Sequence, residues 1–204
     1  MHLIPTQDET VALLRETGAL RDGHFEYPNG LHSNEYLQVP LAMRHSQHHR
    51  LLSVGLSRRL RANPEIRAIV PELSIVVPAT AGLPVAYGVC DALRAKQVYW
   101  GERLHEDEPM RFRQYVNPEP GEPVVLVDDI LRTGQKLSEL KRMLEAAGAL
   151  VLGLAVIIYQ PTPSTFDFGN LPLYYLAKLE ASYYADSAHC ELCKQGLPLE
   201  KSWV

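Results

Sequence analysis

The sequence predicts an α/β fold in which a central parallel sheet is flanked by helices. Three observations carry that prediction. Val124-Val125-Leu126-Val127 is an unbroken aliphatic run, the composition of a strand covered on both faces. Leu137, Leu140, Leu144 and Ala147 then mark a helix that Gly148 ends. Leu150 to Tyr159 returns as a second apolar strand, and strand, turn, helix, strand in succession is how parallel sheets are built.

The elements before that unit follow the same logic. Val11, Leu13 and Leu14 give a packing helix from about Gln7 to Thr17, with Gly18 as its stop. His24 to Tyr27 and Glu35 to Val39 read as a hairpin around the turn Pro28-Asn29-Gly30, too small to stand without a larger body beneath it. From Ser46 to Leu60, the spacing of Leu52, Leu56 and Leu60 predicts an amphipathic helix, which Asn63-Pro64 breaks. His45, His48 and His49 have no acid or thiol beside them and are expected on its solvated surface. Leu73 to Val77 is a buried strand; Ala79-Thr80-Ala81-Gly82 turns into a helix over Leu83 to Leu93; Lys96 to Trp100 is another strand. Glu102 to Gln114 is highly charged without a packing period and is expected to be an exposed loop. On the helix after Val127, Glu139 with Arg142 and Lys141 with Glu145 can pair at the surface.

With 204 residues and 46% apolar content, the chain is expected to form a single domain over residues 1–204. Twenty-four acids against 20 bases, a formal charge of −4, give no general attraction for nucleic acid or an anionic membrane. The first residues lack a secretory pattern, and Ala149 to Tyr159 falls short of the roughly 20 residues that cross a bilayer. A soluble cytoplasmic protein is the expectation. Cys90 reads as apolar filling. Cys190 and Cys193 form one C-x-x-C, able to hold a metal only with two further ligands from elsewhere, and are expected to be structural or interfacial.

The chemistry concentrates at Asp128-Asp129-Ile130-Leu131-Arg132-Thr133-Gly134, where a strand passes into a helix. Ligands of open parallel sheets bind beyond the carboxyl ends of the strands, and a helix N-terminus there favours phosphate. Gly134 allows the chain to curl around an anion, Thr133 offers a hydroxyl, and Arg132 and Lys136 offer charge. Asp128 and Asp129 suit sugar hydroxyls or a hydrated magnesium ion. The pattern describes a ligand with a phosphate at one end and vicinal hydroxyls in the middle.

The string Val124 to Gly134 resembles the signature of the type I phosphoribosyltransferases: four hydrophobics, two acids, two hydrophobics and a phosphate loop. Other segments resemble the orotate branch, in its order: Gly23-His24-Phe25, Asn29 to Tyr36, Pro78 to Gly82, Glu102-Arg103 followed by Met110-Arg111-Phe112-Arg113, Pro120-Gly121-Glu122, and Cys190 to Leu199. The resemblance implies a parallel-sheet core, a hood of elements near 20–42, a C-terminal C-x-x-C tail near 186–204, and a homodimer. It further implies transfer of 5-phosphoribose from phosphoribosyl pyrophosphate to orotate, with Mg2+, giving orotidine monophosphate and pyrophosphate. On this resemblance Asp128, Asp129 and Arg103 are the catalytic set. Ala81, Gly82, Arg103, Asp128, Asp129, Arg132, Thr133, Gly134, Gln135 and Lys136 bind the donor, and Phe25, Tyr36 and Gln160 face the base. No residue is assigned to hold metal directly.

The chain also departs from the family pattern. Arg132, Gln135 and Lys136 stand where a small or hydroxyl residue, a glycine and a hydroxyl are usual, and His105-Glu106-Asp107-Glu108 is acidic where a basic loop is expected. Tyr159-Gln160 stand in place of an Asp-Arg pair whose arginine grips orotate's carboxylate. Two alternatives therefore stay open: a phosphoribosyltransferase for another nucleobase, or a non-catalytic regulatory protein that binds a nucleotide or phosphoribosyl pyrophosphate.

Overall fold

A computed structural model describes residues 4–28, 30–105, 108–112 and 116–201. Asn29 of the hairpin turn, Glu106 and Asp107 of the acidic segment, and Arg113 and Gln114 lie outside the described residues.

The chain opens with α1 (Gln7–Glu16), closed by a capping box in which Thr6 and Glu9 satisfy each other's backbone N–H groups. The hairpin follows as β1 (Leu20–Glu26) and β2 (His32–Leu37), antiparallel from Leu20↔Leu37 to Glu26↔His32. It starts earlier than the sequence suggests because a register irregularity between Asp22 and Phe25 hides the alternation of β1. After α2 (Pro40–Met43) and α3 (Ser46–Arg61) comes α4 (Pro64–Ala68). Asn63-Pro64 ends α3 and also starts α4, since the Asn63 side chain accepts from the Glu65 and Ile66 N–H groups and proline suits the first helical position.

Next are β3 (Ser74–Pro78), α5 (Leu83–Leu93), β4 (Gln97–Glu102) and β5 (Arg111–Phe112). β5 falls within the segment expected to be an exposed loop. Met110 and Phe112 are buried there, and the short strand pairs antiparallel with β4, so two apolar side chains anchor a charged connection. The signature unit is β6 (Pro123–Leu131), α6 (Gln135–Ala146) and β7 (Leu150–Tyr159), followed by β8 (Leu173–Lys178), β9 (Tyr183–Tyr184), α7 (Glu191–Lys194) and β10 (Glu200–Lys201).

Six strands form the main sheet in the order β5-β4-β3-β6-β7-β8, parallel except for β5. Its strands alternate between two apolar layers. Val125 and Val127 of β6 face a layer that includes Leu52 and Leu56 of α3 and Val85 and Val89 of α5, while Val124 and Leu126 face Leu137, Leu140 and Leu144 of α6. The hood is a second sheet, β10-β1-β2-β9, that joins the hairpin to two pieces of the C-terminal region. No helix among the described residues is long and apolar enough to cross a membrane.

The histidines at the start of α3 are not uniformly solvated as expected. His49 is partly buried, with Nε2 2.8 Å from the Pro84 carbonyl oxygen, because α3 packs closely on α5. Glu139 does not pair with Arg142 either: it accepts from Arg103 and from the Met110 N–H, drawing the β4–β5 connection onto α6, whereas the expected Lys141–Glu145 pair is present.

Candidate active site

β3 and β6 are neighbours only as far as Val76↔Leu126. Beyond that point β3 leaves toward α5 on one face, and β6 continues to Leu131 paired only with β7 before turning into α6 on the other face. Two adjacent strands whose helices diverge leave a crevice between them, the place where open α/β sheets bind ligands. An open cavity of about 280 Å³ occupies it. Asp128 and Asp129 stand on its wall, with Pro78, Ala79 and Ala81 on one side and Arg132 through Leu137 on the other. Thus β6 extends through the acids instead of ending at Val127, because β7 is long enough to pair with it through Leu131↔Tyr159.

The turn expected to hold phosphate has the backbone that its glycine suggests. Gly134 adopts φ +73° as the residue preceding α6, and a Cβ there would lie 2.9 Å from the Phe168 ring. Thr133 through Leu137 line the cavity at the start of α6, where helical amide groups lack partners within the helix. Gly82 has a different reason. A Cβ on it would sit 2.5 Å from Asp128 Oδ1 and 2.7 Å from Val77 Cγ2, so the absence of a side chain lets the turn after β3 close onto the carboxylate.

Among the described residues no ion pair reaches either acid, and Lys136 and Arg132 favour the charged forms only weakly against burial. Burial first, and the neighbouring Asp129 charge second, push Asp128 well above the ordinary carboxylate range. Burial also raises Asp129, against the opposing pull of backbone amides and of Arg132. Asp128 Oδ1 accepts from the Asp129 N–H at 2.9 Å, which fixes that carboxylate's orientation. Acceptors crowded together at a cavity wall suit sugar hydroxyls or a hydrated divalent ion, either of which would favour their ionised form.

Arg132 lines the cavity, but its guanidinium is committed to a second cluster. Its Nε and Nη2 donate to Gln160 Oε1 at 3.1 and 2.9 Å, and it lies over the rings of Tyr27 and Tyr183 at 5.1 and 5.6 Å. Fully buried Gln160 also accepts from Tyr183 at 2.8 Å and donates to Glu35 at 3.3 Å. Burial raises Glu35 above its ordinary range and pushes Tyr183 up to about 12. This cluster bridges hood and core beside the cavity.

The remaining sequence assignments fall elsewhere. Phe25 and Tyr36 pack on each other at 5.6 Å under Arg21, and Tyr27, stacked 6.3 Å from Tyr36, stands between that pair and Arg132. Arg103 is paired with Glu139 and is not among the cavity's lining residues. Tyr27, Glu35 and Tyr183 were not singled out by sequence. Glu35 and Tyr27 flank the hairpin turn, but nothing in their spacing points across to the far end of β7.

The divergent-strand crevice, the paired acids and the glycine turn before α6 accord with a phosphoribosyltransferase, and residues 71–167 match the family described as phosphoribosyl transferase domain. The chain belongs to that family of transferases. More particularly, it is similar to the orotate phosphoribosyltransferase of Pelotomaculum thermopropionicum, with 32% identity over 197 residues and 96% of each chain covered. That of Thermotoga maritima is 32% identical over 189 residues, covering 93% of this chain and 94% of its own. In fold it matches the crystal structure of orotate phosphoribosyltransferase from Aeropyrum pernix, with TM-score 0.65 and 19% identity over 82% of this chain and 92% of that one.

Proposed function

We propose that this protein transfers the 5-phosphoribosyl group of phosphoribosyl pyrophosphate to orotate. The observation that carries the reading is the single cavity at which Asp128, Asp129 and the Thr133 to Lys136 turn meet. Full-length similarity to relatives named orotate phosphoribosyltransferase supports the choice of acceptor.

In this reading the Thr133 hydroxyl, the first amides of α6 and Lys136 bind the 5-phosphate. Asp128 and Asp129 accept from the ribose hydroxyls. Their charges also favour the positive character that develops on the ribose ring as the bond from its anomeric carbon to pyrophosphate breaks and the bond to a pyrimidine nitrogen forms. Magnesium, when bound with the donor, offsets pyrophosphate's negative charge; the acids are the residues that would hold its hydration shell. The acceptor site uses the hood cluster. Gln160 cannot form a charged fork with a carboxylate, but it holds the Arg132 guanidinium in place, and Arg132 supplies the cation that orotate's carboxylate needs. A homodimer belongs to the same proposal, and half-exposed Tyr87 beside Trp100 offers an apolar face for it.

The test is pyrophosphate release with the donor, magnesium, and orotate, uracil or a purine supplied singly. Release with orotate alone is expected. Release with another base would transfer the reading to that base, and tight donor binding without turnover would replace it with a sensing role.

A further inference from the structure

The C-terminal C-x-x-C finds its two missing ligands in the hood. His24 of β1 and His32 of β2 are diagonal neighbours across the hairpin, since His32 pairs with Glu26, two residues beyond His24. The C-terminal segment folds back over them, with Cys190 at the start of α7 and Cys193 within it. One ligand atom from each of the four residues lies within 4.8 Å of all the others.

We propose that His24, His32, Cys190 and Cys193 bind one structural zinc ion, which clasps the C-terminal segment to the hood. Tetrahedral zinc, with bonds of about 2.0–2.1 Å to nitrogen and about 2.3 Å to sulfur, separates its ligands by roughly 3.3 Å for N···N and roughly 3.6 Å for N···S. Here His24 Nε2 and His32 Nδ1 are 3.0 Å apart, Cys190 and Cys193 Sγ are each 3.5 Å from His24 Nε2, and Cys193 Sγ is 3.4 Å from His32 Nδ1. The set is therefore already close to the size of the ion's coordination shell.

Hydrogen bonding alone explains the convergence poorly. The other ring nitrogen of His24, Nδ1, lies 2.9 Å from the Leu197 carbonyl oxygen, which can only accept. That bond places the proton on Nδ1 and leaves Nε2 with one lone pair, the tautomer a metal ligand needs. Three potential donors crowd that one lone pair, whereas an ion would take one electron pair from every member. Both histidines are 4% exposed, Cys190 is fully buried and Cys193 is partly buried; four protein ligands fill a tetrahedral shell and leave no open position, an arrangement that is structural rather than catalytic. Among the described residues, it is the one group of three or more such side chains able to hold a metal.

The clasp has a mechanical consequence. Residues 190–201 also join the hood through β10, whose Glu200 and Lys201 pair with Phe25 and Glu26. Zinc binding would fix the β1–β2 hairpin that carries Tyr27 and Glu35 to the Arg132 cluster. The inference does not depend on which base the enzyme accepts.

The test is metal analysis of the full chain, expressed with zinc and purified reduced without chelators. One zinc per chain is expected, released in step with mercurial modification of two thiols, and lost from a Cys190→Ser, Cys193→Ser variant together with a lower Tm. Should that variant not fold, cobalt substitution of the unaltered protein decides: tetrahedral d–d bands with thiolate charge transfer are expected. Protein that neither contains zinc nor takes it up against a chromophoric chelator would overturn the proposal. So would a Cys190–Cys193 disulfide without metal, or metal that persists in the double variant.

Discussion

Replacing Gly82 by alanine puts a methyl group in place of a hydrogen where the site has no room for it. The new Cβ would stand 2.5 Å from Asp128 Oδ1, 2.7 Å from Val77 Cγ2 and 3.3 Å from the Asp128 Cα. Ordinary contact begins at 3.4 Å, so the carboxylate must retreat by about 0.9 Å or the turn must lift by a similar distance. Val77 belongs to a fully buried strand and cannot yield freely. Overpacking of this kind costs about 1–3 kcal/mol, and for a chain of this length each kcal/mol lowers Tm by roughly 2–4 °C. The functional loss is larger, because misplacing a binding group by about 1 Å can cost about 100-fold in rate. Calorimetric titration with phosphoribosyl pyrophosphate and magnesium, alongside steady-state pyrophosphate release, measures both effects. Gly82→Ala is expected to weaken donor binding and to reduce kcat/KM by about 100-fold. Donor affinity and turnover within about threefold of the unaltered protein, with Tm unchanged, would refute the placement of Asp128 in the donor site.

Asp128→Asn should stabilise the protein while impairing it. Because the folded state raises this carboxyl, its contribution to stability is complete at acid pH and is lost as pH rises through the folded value; asparagine removes that loss. The variant is therefore expected to melt above the unaltered protein at pH 8, with the gap closing below the ordinary value of 3.8, while donor affinity falls about tenfold or more. A variant that melts lower throughout and binds the donor normally would count against this account. Gln160→Leu strips three donors of their shared acceptor, Arg132 twice and Tyr183 once. Allowing for the partial exposure of Arg132, a loss of about 2–4 kcal/mol is expected, with Tm lowered by roughly 4–16 °C and KM for orotate raised more than KM for the donor. An unchanged melting curve would show that the cluster is incidental.

Much of this architecture was legible because its strands are buried on both faces. β3, β6 and β7 are apolar runs that no exposed element would carry, and Asp128 and Asp129 within β6 stand out against them. The turn Thr133 to Lys136 was readable for a related reason: glycine at a strand-to-helix junction has a conformational meaning that a single sequence exposes. Some signals were present and unread. Thr6 and Glu9 have the spacing of a capping box, and Leu173 to Lys178 has the aromatic and aliphatic content of a strand. One partner each of Gln160 and of Cys190 lies on the hairpin of the hood, 125 residues away in Glu35 and 166 in His24, and periodicity carries no information across such distances.

The charge arrangement separates a binding site from an ornament of the fold. A carboxylate pair kept for stability would be expected to have a cation seated on it, since an unmatched buried charge is costly. Here Lys136 and Arg132 favour the charged forms only as secondary influences, outweighed by burial. Moreover, the guanidinium of Arg132 is taken up by Gln160, Tyr27 and Tyr183. The fold thus holds two acids within β6, against their preference for water, beside a helix N-terminus whose positive end favours an anion. A ligand that presents hydroxyls or a hydrated cation to the acids and a phosphate to the turn resolves both imbalances at once. Each half of the site is then incomplete in the way the other half of that ligand completes.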